Sequence, residues 1–355
     1  MTASLPEIER LLAETVSKRS SAVVGVASIE GDDIAWSAAA GGGDDALFQA
    51  GSLSKTVTAA VSLELVRRGE LDLDTDADEQ LSSWSLPRGT GATLRHLLGH
   101  TAGTNVPFCP GYAQGAPVPT LTQSLEGVAP ATTPAVVVDP KAAGRFRYSG
   151  GGYAVVQHLI EDIRAEPFAE TARKVIFEPL GMAHSSFVQP PERLQAPAWA
   201  DWRFYPEQAA AGLWTTPADL ARFVSALQAA IRAEGDGFMH RTAVTMTTSH
   251  AKLPSRGQWT ALALLGLRFP RHAGLGLFVG DHRFMNLGGA AGSFSALTGS
   301  TVDGTGVVVM TAGCRSPFAV RLLLEIGDAR GWSDLRAYGR GIRGKPSELL
   351  LRVLS

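Results

Sequence analysis

Strand-like patterns lie near both ends of this sequence, and helical patterns dominate the long stretch between them. Near the start, Ser21–Glu30 and Asp33–Ala38 are rich in strand-forming residues and flank a turn signal, Gly31-Asp32. Towards the end, strand patterns return and a helical pattern follows them: Leu275–Val279, Ser293–Gly299, Gly306–Thr311 and then Ala319–Arg330. This arrangement predicts an α/β fold of the α+β type, with one antiparallel sheet flanked by helices and a mostly helical second domain.

The length of the chain also predicts two lobes, since 355 residues exceed a usual single domain. We expect a sheet domain formed by residues 1–75 and 205–355, with residues 76–204 as a mostly helical insert. The spacing of apolar residues predicts an additional amphipathic helix at Pro6–Arg19. The active site is expected at the junction of the two domains, where ligand clefts tend to form.

The composition is that of a globular protein with a large core. Apolar residues make up 45% of the chain and charged residues 19%, and the net charge is −2. That charge gives no electrostatic reason to bind nucleic acid or an anionic membrane. No apolar run approaches the ~20 residues that cross a bilayer. We therefore expect a small-molecule substrate, no nucleic-acid or membrane partner, and a monomer or homodimer.

The two ends of the sequence carry little functional signal. The first ten residues include acidic side chains and lack the basic-then-apolar order of a secretory signal, which predicts a cytoplasmic protein. The last stretch, Ala337–Ser355, is basic and apolar. It is expected to form a tail helix docked on the body, with a dimer contact or a lid as the alternative.

A serine and a lysine three residues apart open the first long helical pattern. Within Gly51–Lys55 a flexible turn leads into a helix that is expected to end near Gly69. Residues i and i+3 share a helix face, so the Lys55 amine can reach the Ser52 hydroxyl. The N-terminus of a helix also favours developing negative charge. Because a lysine whose pKa is lowered by burial can take a proton from serine, the pair is interpreted as nucleophile and base.

The Ser-x-x-Lys pattern is a weak signal by itself, and this chain contains it twice. The second copy, Ser249–Lys252, stands before Pro254 with no helical apolar pattern behind it. It is interpreted as a chance match on a surface loop. For Ser52 the alternative interpretation is a helix cap with a solvent-exposed lysine one turn further on.

A second candidate motif is Arg147–Tyr153, in which Tyr148 stands on a glycine-rich turn before a helix predicted over Ala154–Arg164. A nucleophile of the Ser-x-x-Lys type is expected to have such a hydroxyl- or amide-bearing partner. A tyrosine near a cationic lysine loses its proton more easily. Tyr148 can therefore serve as a base or a proton shuttle.

A third candidate motif is the strand segment Leu287–Ala290. Its residues Gly288 and Gly289 let a ligand approach the backbone closely, and with Leu287 they are candidate substrate-binding residues. The backbone N–H groups of Ala290 and Ser52 can together form an oxyanion hole.

These motifs resemble the serine β-lactamase-like family, which groups class C β-lactamases, penicillin-binding D,D-peptidases, D-aminopeptidases, family VIII esterases and acyltransferases. The similarity extends over roughly Ser21 to Trp332, and three further segments carry it in the expected order: Thr93–Gly103, Phe177–Phe187 and Ala211–Phe223. The resemblance implies a β-lactamase/transpeptidase-like fold. It also implies that Ser52 is the acylated nucleophile, Lys55 its partner base and Tyr148 the proton shuttle.

Two positions depart from the family pattern. Gly150 stands where many relatives have asparagine and cannot offer an amide to a substrate. Leu287 stands where β-lactamases and peptidases usually have a basic residue that holds the substrate carboxylate, and an unpaired carboxylate beside leucine is costly to desolvate. Arg283 is the nearby candidate replacement. Without one, the site is expected to favour a neutral ester or amide.

Metal and redox sites are not expected. His96 and His100 are four residues apart on a predicted short helix, but the segment lacks the glutamate of a zinc-protease motif. Packing and loop hydrogen bonds are the expected role of both. Cys109 and Cys314 fit no metal or redox spacing and are interpreted as free, inert thiols. Cys109 stands in a loop expected near the cleft, so a disulfide or a reactive thiol is the alternative there. No cofactor is expected.

The sequence therefore predicts a serine hydrolase or acyltransferase that forms an acyl-serine intermediate on a small-molecule ester or amide. Transfer of the acyl group to an acceptor amine or alcohol in a biosynthetic pathway competes with transfer to water. The alternatives are a β-lactamase, D,D-peptidase or D-aminopeptidase, and a non-catalytic binding relative. Tyr112 and Trp214 are further candidates for the substrate cleft, each with a core position as the alternative.

Overall fold

The computed structural model describes residues 22–31, 33–43, 45–86, 91–190, 201–233, 237–254, 270–313, 316–332 and 335. Three predicted features lie outside the described residues: the helix at Pro6–Arg19, Cys314, and the tail Ala337–Ser355.

A single antiparallel sheet contains eight of the ten described strands. In chain order the strands are β1 (Val23–Glu30), β2 (Asp33–Ala40), β3 (Phe48–Gln49), β4 (Trp214–Thr215), β5 (Ala251–Lys252), β6 (His272–Ala273), β7 (Phe278–Val279), β8 (Arg283–Ala290), β9 (Ser293–Ser300) and β10 (Gly306–Ala312). The large sheet has the order β2-β1-β10-β9-β8-β7-β6-β5, and β3 pairs with β4 separately. Strands from both ends of the described chain meet where β1 pairs with β10, from Val23 opposite Ala312 to Ile29 opposite Gly306.

Ten α-helices occur within the described residues. They are α1 (Leu53–Arg67), α2 (Ala77–Gln80), α3 (Leu94–Leu98), α4 (Leu121–Glu126), α5 (Gly150–Arg164), α6 (Phe168–Ala172), α7 (Gln208–Ala211), α8 (Pro217–Arg232), α9 (His240–Thr247) and α10 (Ser316–Ala329). A 3₁₀ turn at Pro140–Ala142 and a π-helical turn at Arg173–Phe177 complete the helical structure.

Helices cover both faces of the sheet, as the alternating side chains of β10 show. Val308 and Met310 join the hydrophobic cluster that contains α8 and α1. Val307 and Val309 join a second cluster, on the opposite face, that contains α10. Because successive strand residues point to opposite faces, a strand covered on both sides is apolar throughout rather than alternating.

The helix α1, which the sequence predicts to carry the nucleophile and which is called the nucleophile helix below, lies in the middle of the protein. Every residue from Leu53 to Leu65 is buried, so this helix is surrounded by the core on all sides. Its buried Glu64 accepts hydrogen bonds from Arg67 Nε (2.9 Å) and Thr242 Oγ1 (2.6 Å). The helix therefore gives Ser52, at its N-terminus, a rigid position.

The predicted strands near both ends, the helix α10 and the nucleophile helix are confirmed, with two corrections. The strand expected over Leu275–Val279 is shorter, because Gly276 has a φ of +73° and turns the chain. The helix expected from Ala154 begins four residues earlier, at Gly150. Ser149 caps it by accepting a 3.0 Å hydrogen bond from the Gly152 N–H.

The α/β architecture with a large antiparallel sheet is as the sequence predicts. The domain limits at residues 75 and 205 stay a prediction. None of the helices in the described part of the chain combines the length and hydropathy of a bilayer-spanning segment.

Candidate active site

A sharp turn places Ser52 at the N-terminus of α1. Gly51 has a φ of +54°, a conformation that glycine adopts without steric cost. A Cβ at this position would also lie 2.5 Å from the carbonyl oxygen of Gly289. Glycine is therefore required both by the turn and by the close approach of β8. Ser52 itself is half-buried, so part of its side chain is accessible from outside.

Lys55 lies one turn further along α1 and is only 4% exposed. Its Nζ donates a 3.2 Å hydrogen bond to Ser52 Oγ and a 2.7 Å hydrogen bond to the backbone oxygen of Ala210. The alternative interpretation, a solvent-exposed lysine beside a helix cap, is wrong. Ser52 makes no side-chain cap hydrogen bond to α1.

The predicted second motif lies next to this pair. Lys55 Nζ is 5.1 Å from the centre of the Tyr148 ring and 5.7 Å from that of Tyr153. Both distances are within the range over which an aromatic ring attracts a cation. Ser52, Lys55 and Tyr148 are therefore brought together from α1 and from the loop before α5.

The predicted third motif lies against the nucleophile turn. A Cβ at Gly288 would collide with the carbonyl oxygen of Ala50 and lie 3.1 Å from the Ser52 nitrogen. Gly289 is exposed, with open space where its Cβ would be, and Leu287 is half-buried. Ala290 ends the strand opposite Ser293 of β9. An oxyanion hole from the Ser52 and Ala290 N–H groups stays a prediction.

Leu287 belongs to an apolar part of the site. Together with Tyr148 and Phe146 it packs against the cluster on the α10 face of the sheet. The preceding residue on the same strand, Asn286, points to the opposite face of the sheet. It donates a 2.7 Å hydrogen bond to Thr56 Oγ1 of α1. This buried bond fixes the distance between the third motif and the nucleophile helix.

Arg283 does not replace the missing basic residue. It lies at the opposite end of β8 from the glycines and is only 8% exposed. Its guanidinium stacks on Trp332 at 4.1 Å and donates to Thr305 Oγ1 at 2.9 Å. The prediction that Arg283 could take the role of the basic residue missing at position 287 is therefore wrong.

The two aromatic candidates for the cleft, Tyr112 and Trp214, lie in the core. Tyr112 is 5% exposed, and its hydroxyl accepts a 3.0 Å hydrogen bond from the Thr132 N–H. Trp214 is fully buried and packs edge-on against Trp202. The core alternative holds for both, because neither ring is accessible to a substrate.

A thiol occupies the space beside Gly150. A Cβ at Gly150 would lie 2.9 Å from Cys109 Sγ. Cys109 is a free thiol, and burial, with a smaller contribution from Glu207, raises its pKa to about 12. It is therefore a neutral group at physiological pH. The sequence identified Gly150 as a departure but contained no signal for the residue that fills the gap.

The carboxyl group of Glu207 is buried behind Cys109. It is 4% exposed, and its Oε2 has no hydrogen-bond partner among the described residues. Burial raises its pKa, and the nearby Ser124 hydroxyl offsets this only in part. Within the described residues, no group of three or more side chains of the metal-binding types is placed to hold a metal ion.

His96 and His100 do not share a helix face. His96 caps the start of α3 with Thr93, whereas His100 lies beyond the end of that helix with a φ of 58°. The Ala210 carbonyl and His100 are contacts of the site that the sequence did not identify. A backbone carbonyl leaves no sequence signal, and the histidine was visible only as part of a structural segment.

A family model described as "Beta-lactamase" matches residues 8–328. The chain belongs to the beta-lactamase family. Among curated members, it is 28% identical over 156 residues to a putative penicillin-binding protein, PbpX, of Bacillus subtilis (strain 168), covering 42% of this chain and 35% of that protein. It is 28% identical over 155 residues to penicillin-binding protein 4 of Amycolatopsis lactamdurans, covering 42% and 38%. The matches thus span little more than a third of either relative.

Solved structures of beta-lactamase-family proteins share the fold over nearly the whole chain. The octameric penicillin-binding protein homologue from Pyrococcus abyssi has a TM-score of 0.70 at 20% identity, covering 93% of this chain and 78% of that one. D-amino acid amidase from Ochrobactrum anthropi SV3 has a TM-score of 0.70 at 18% identity, covering 92% and 98%. The β-lactamase/D-alanine carboxypeptidase from Yersinia pestis has a TM-score of 0.67 at 18% identity, covering 92% and 97%. The β-lactamase/transpeptidase-like fold is confirmed.

Proposed function

We propose that this beta-lactamase-family protein is a serine hydrolase or acyltransferase that acts on a neutral small-molecule ester or amide through an acyl-serine intermediate. The observation that carries the proposal is the hydrogen bond between the buried Lys55 amine and Ser52 Oγ. A buried lysine within hydrogen-bond distance of a half-buried serine hydroxyl at a helix N-terminus is the arrangement of an activated nucleophile.

In the proposed acylation, Ser52 Oγ attacks the carbonyl carbon of the substrate, and its proton passes to Lys55 in those molecules whose amine has given up its own proton. The electron pair of the carbonyl moves to its oxygen, which the N–H groups of Ser52 and Ala290 stabilise. Tyr148 gives a proton to the leaving alcohol or amine and regains one from Lys55. The bond to the leaving group breaks, and an ester of Ser52 remains.

In the second half-reaction, water or an acceptor amine or alcohol attacks the acyl group. Its proton returns through Tyr148 and Lys55 to Ser52 Oγ, and the acyl group leaves as an acid or as a new ester or amide. The share of the acyl group that goes to water rather than to the amine or alcohol depends on how far the site excludes water.

The neutral substrate follows from the groups that surround the reacting centre. Leu287 offers no charge, and the space beside Gly150 holds the uncharged Cys109 thiol. Phe108, which is 59% exposed, lies with its ring centre 5.9 Å from that of Tyr148. A substrate carboxylate in these surroundings would lose its hydration without gaining a partner. An apolar acyl or leaving group would bury part of the exposed ring.

Three other activities remain as second candidates because the structural relatives include a D-amino acid amidase and a β-lactamase/D-alanine carboxypeptidase. An amidase for amino-acid amides, which have no carboxylate, fits the site better than a carboxypeptidase or β-lactamase, whose substrates carry one. A non-catalytic binding protein is the remaining alternative.

Intact-protein mass spectrometry after incubation with a fluorophosphonate tests the proposal. The wild type is expected to gain one covalent adduct, and Ser52→Ala none. An adduct that persists in Ser52→Ala would reveal a different nucleophile. A folded wild type that forms no adduct with fluorophosphonate or with an activated ester would overturn the enzyme proposal in favour of a binding role.

A further inference from the structure

His100 stands in a conformation that few residues adopt. It follows Gly99, the C-cap of α3, and has a φ of 58°, in the left-handed region. The residue is 7% exposed, so its imidazole lies inside the protein. The Thr101 N–H bonds to the His96 carbonyl at 2.8 Å, as at many helix ends, so this backbone conformation belongs to the end of α3.

His100 contacts Tyr148 and the residues before and after it in the chain. The His100 carbonyl oxygen accepts a 2.7 Å hydrogen bond from the Arg147 N–H. Its Nδ1 accepts a 3.1 Å hydrogen bond from the Ser149 N–H. The imidazole also lies against the phenol ring of Tyr148, with ring centres 4.4 Å apart. His100 thus bonds the backbone N–H of each chain neighbour of Tyr148 and lies against one face of its ring.

Ser149 connects this arrangement to the scaffold. Its hydroxyl donates a 2.5 Å hydrogen bond to the Asn105 carbonyl and accepts one from the Gly152 N–H at the start of α5. The residue after Tyr148 is therefore fixed by a helix cap and by His100 together. Little freedom remains for the tyrosine between them.

We propose that neutral His100 is a positioning residue for Tyr148, which it holds in the orientation needed to pass a proton between Lys55 and the leaving group. This inference rests on the proposed function for the shuttle role of Tyr148. His100 itself touches no reacting atom. Its Nδ1 must lack a proton to accept from Ser149, so its proton is on Nε2.

Protonation of His100 would dismantle this arrangement. A proton on Nδ1 would face the Ser149 N–H, and the new charge would lie near Lys55. Burial, and then the charge of Lys55, hold the pKa of His100 well below its usual value of 6.5. The titratable groups around the ring are Lys55 of α1, Tyr148, and Tyr153 of α5. Burial raises the pKa of Tyr153 well above its usual value, so this neighbour stays neutral.

The sign of the pH effect follows from the lowered pKa. The folded state favours neutral His100, so this contribution to stability is complete above pH 6.5 and is lost as the pH falls towards the folded pKa. As the pH approaches the folded pKa of His100, Tyr148 should lose its fixed orientation. The acylation rate should then decline.

Two substitutions at position 100 separate positioning from packing. His100→Asn keeps an acceptor near the place of Nδ1, tolerates a positive φ and does not titrate. His100→Phe keeps an aromatic ring and removes the acceptor. His250→Phe is the matched control, since His250 is a half-buried histidine that bonds Thr101 instead.

Acylation of Ser52 by an unactivated alkyl ester, whose alcohol leaving group must gain a proton, is measured against pH for each variant. We expect His100→Phe to lower kcat by roughly 10- to 100-fold with KM little changed, as for a misplaced proton donor. We expect His100→Asn to retain most of the rate and to lose the acid-side decline caused by histidine protonation. Equal losses in both variants that follow their melting temperatures, with an unchanged pH profile, would overturn the proposal and leave His100 a packing residue.

Long-range ¹H–¹⁵N NMR of histidine-labelled protein tests the same arrangement without any activity. The expected spectrum at neutral pH shows His100 with a bare Nδ1 and a protonated Nε2. A proton on Nδ1 would overturn the inference. If the wild type carries the expected tautomer but no probe acylates Ser52, the arrangement stands and the proposed function fails.

Discussion

The Lys55 amine lies closer to the backbone oxygen of Ala210, at 2.7 Å, than to the Ser52 hydroxyl at 3.2 Å. The carbonyl at the end of α7 thus determines the direction of the side chain, and the serine takes one of the remaining positions around the nitrogen. An ammonium group has three donors arranged around one atom, whereas a guanidinium is a planar fork that stays charged. Arginine would therefore fit neither the geometry nor the proton transfer.

Lys55→Gln and Lys55→Arg are expected to slow acylation of Ser52 by roughly 100- to 10,000-fold, the usual contribution of a general base. The measurement is the time course of fluorophosphonate labelling by intact mass. Lys252→Gln is the matched control, because Lys252 is an exposed lysine in the second Ser-x-x-Lys pattern. Equal labelling rates in the Lys55 and Lys252 variants would show that Ser52 is not activated by Lys55.

Adjacent glycines on β8 should differ sharply in their tolerance of a methyl group. Gly288→Ala places Cβ against backbone atoms of Ala50 and Ser52, which cannot rotate away, so we expect a loss of about 1–3 kcal/mol in unfolding free energy. Gly289→Ala meets no atom within 4 Å and is expected to change that free energy by less than about 0.5 kcal/mol. Chemical denaturation of both variants measures the difference. Similar values would contradict the close approach of β8 to the nucleophile turn.

Gly150 and Cys109 should be energetically coupled, since a Cβ at Gly150 meets the thiol at 2.9 Å. Gly150→Ala alone is expected to destabilise the protein, and Cys109→Ala is expected to relieve that loss by removing the sulfur. The interaction energy in a double-mutant cycle should be at least about 0.5 kcal/mol. Denaturation of the four proteins in the cycle measures it, and strictly additive effects would show that the two side chains do not share this space.

Leu287→Lys should shift the preference of the site towards substrates with a carboxylate. A lysine at this position can pair with a charge that leucine leaves unpaired. We expect kcat/KM for a carboxylate-bearing ester to rise by roughly tenfold relative to its neutral analogue, which corresponds to about 1.4 kcal/mol. Val302→Lys adds the same charge at a 62% exposed position in the turn after β9 and serves as the control. An equal shift in both variants would indicate a general effect of net charge.

Glu207 should make the wild type less stable as the pH rises. Burial raises the pKa of its carboxyl, so the folded state retains a proton that the unfolded state loses above about pH 4.5. Glu207→Gln does not titrate. Its stability relative to wild type is therefore expected to increase from pH 4.5 upwards and to level off above the folded pKa.

Thermal melts across pH measure the effect of Glu207→Gln. Glu166→Gln is the contrasting control, because hydrogen bonds, first of all from Lys174, lower the pKa of Glu166. The stability that Glu166 gives the wild type is therefore lost as the pH falls. A pH-independent difference for Glu207→Gln would contradict the burial of a raised-pKa carboxyl.

The sequence predicted the parts of the fold and site that depend on local pattern. The strands around Gly31, the helix after Ser52 and the Ser52–Lys55 contact all follow from residues close together in the chain. The Ala210 carbonyl, by contrast, is 155 residues from Lys55, and a backbone oxygen has no residue-type signature. Cys109 fills the space beside Gly150 only because the two loops are folded together.

The positions of Tyr112 and Trp214 could not be predicted from the sequence either. An aromatic side chain has the same composition signal in a core as in a cleft, and only the packing around it decides. Arg283 was close to Leu287 in sequence, yet the length of β8 carries it to the far end of the strand, where Trp332 and Thr305 hold it.

The pairing of β1 with β10 has a consequence for how the protein is made. β1 leaves the ribosome early, but the strand that lies beside it, from Gly306 to Ala312, is among the last described segments to be synthesised. Until then β1 has one open edge and an apolar face, which is the condition in which nascent chains aggregate. The β1–β2 hairpin therefore cannot complete its pairing in the sheet until the segment up to Ala312 has been synthesised.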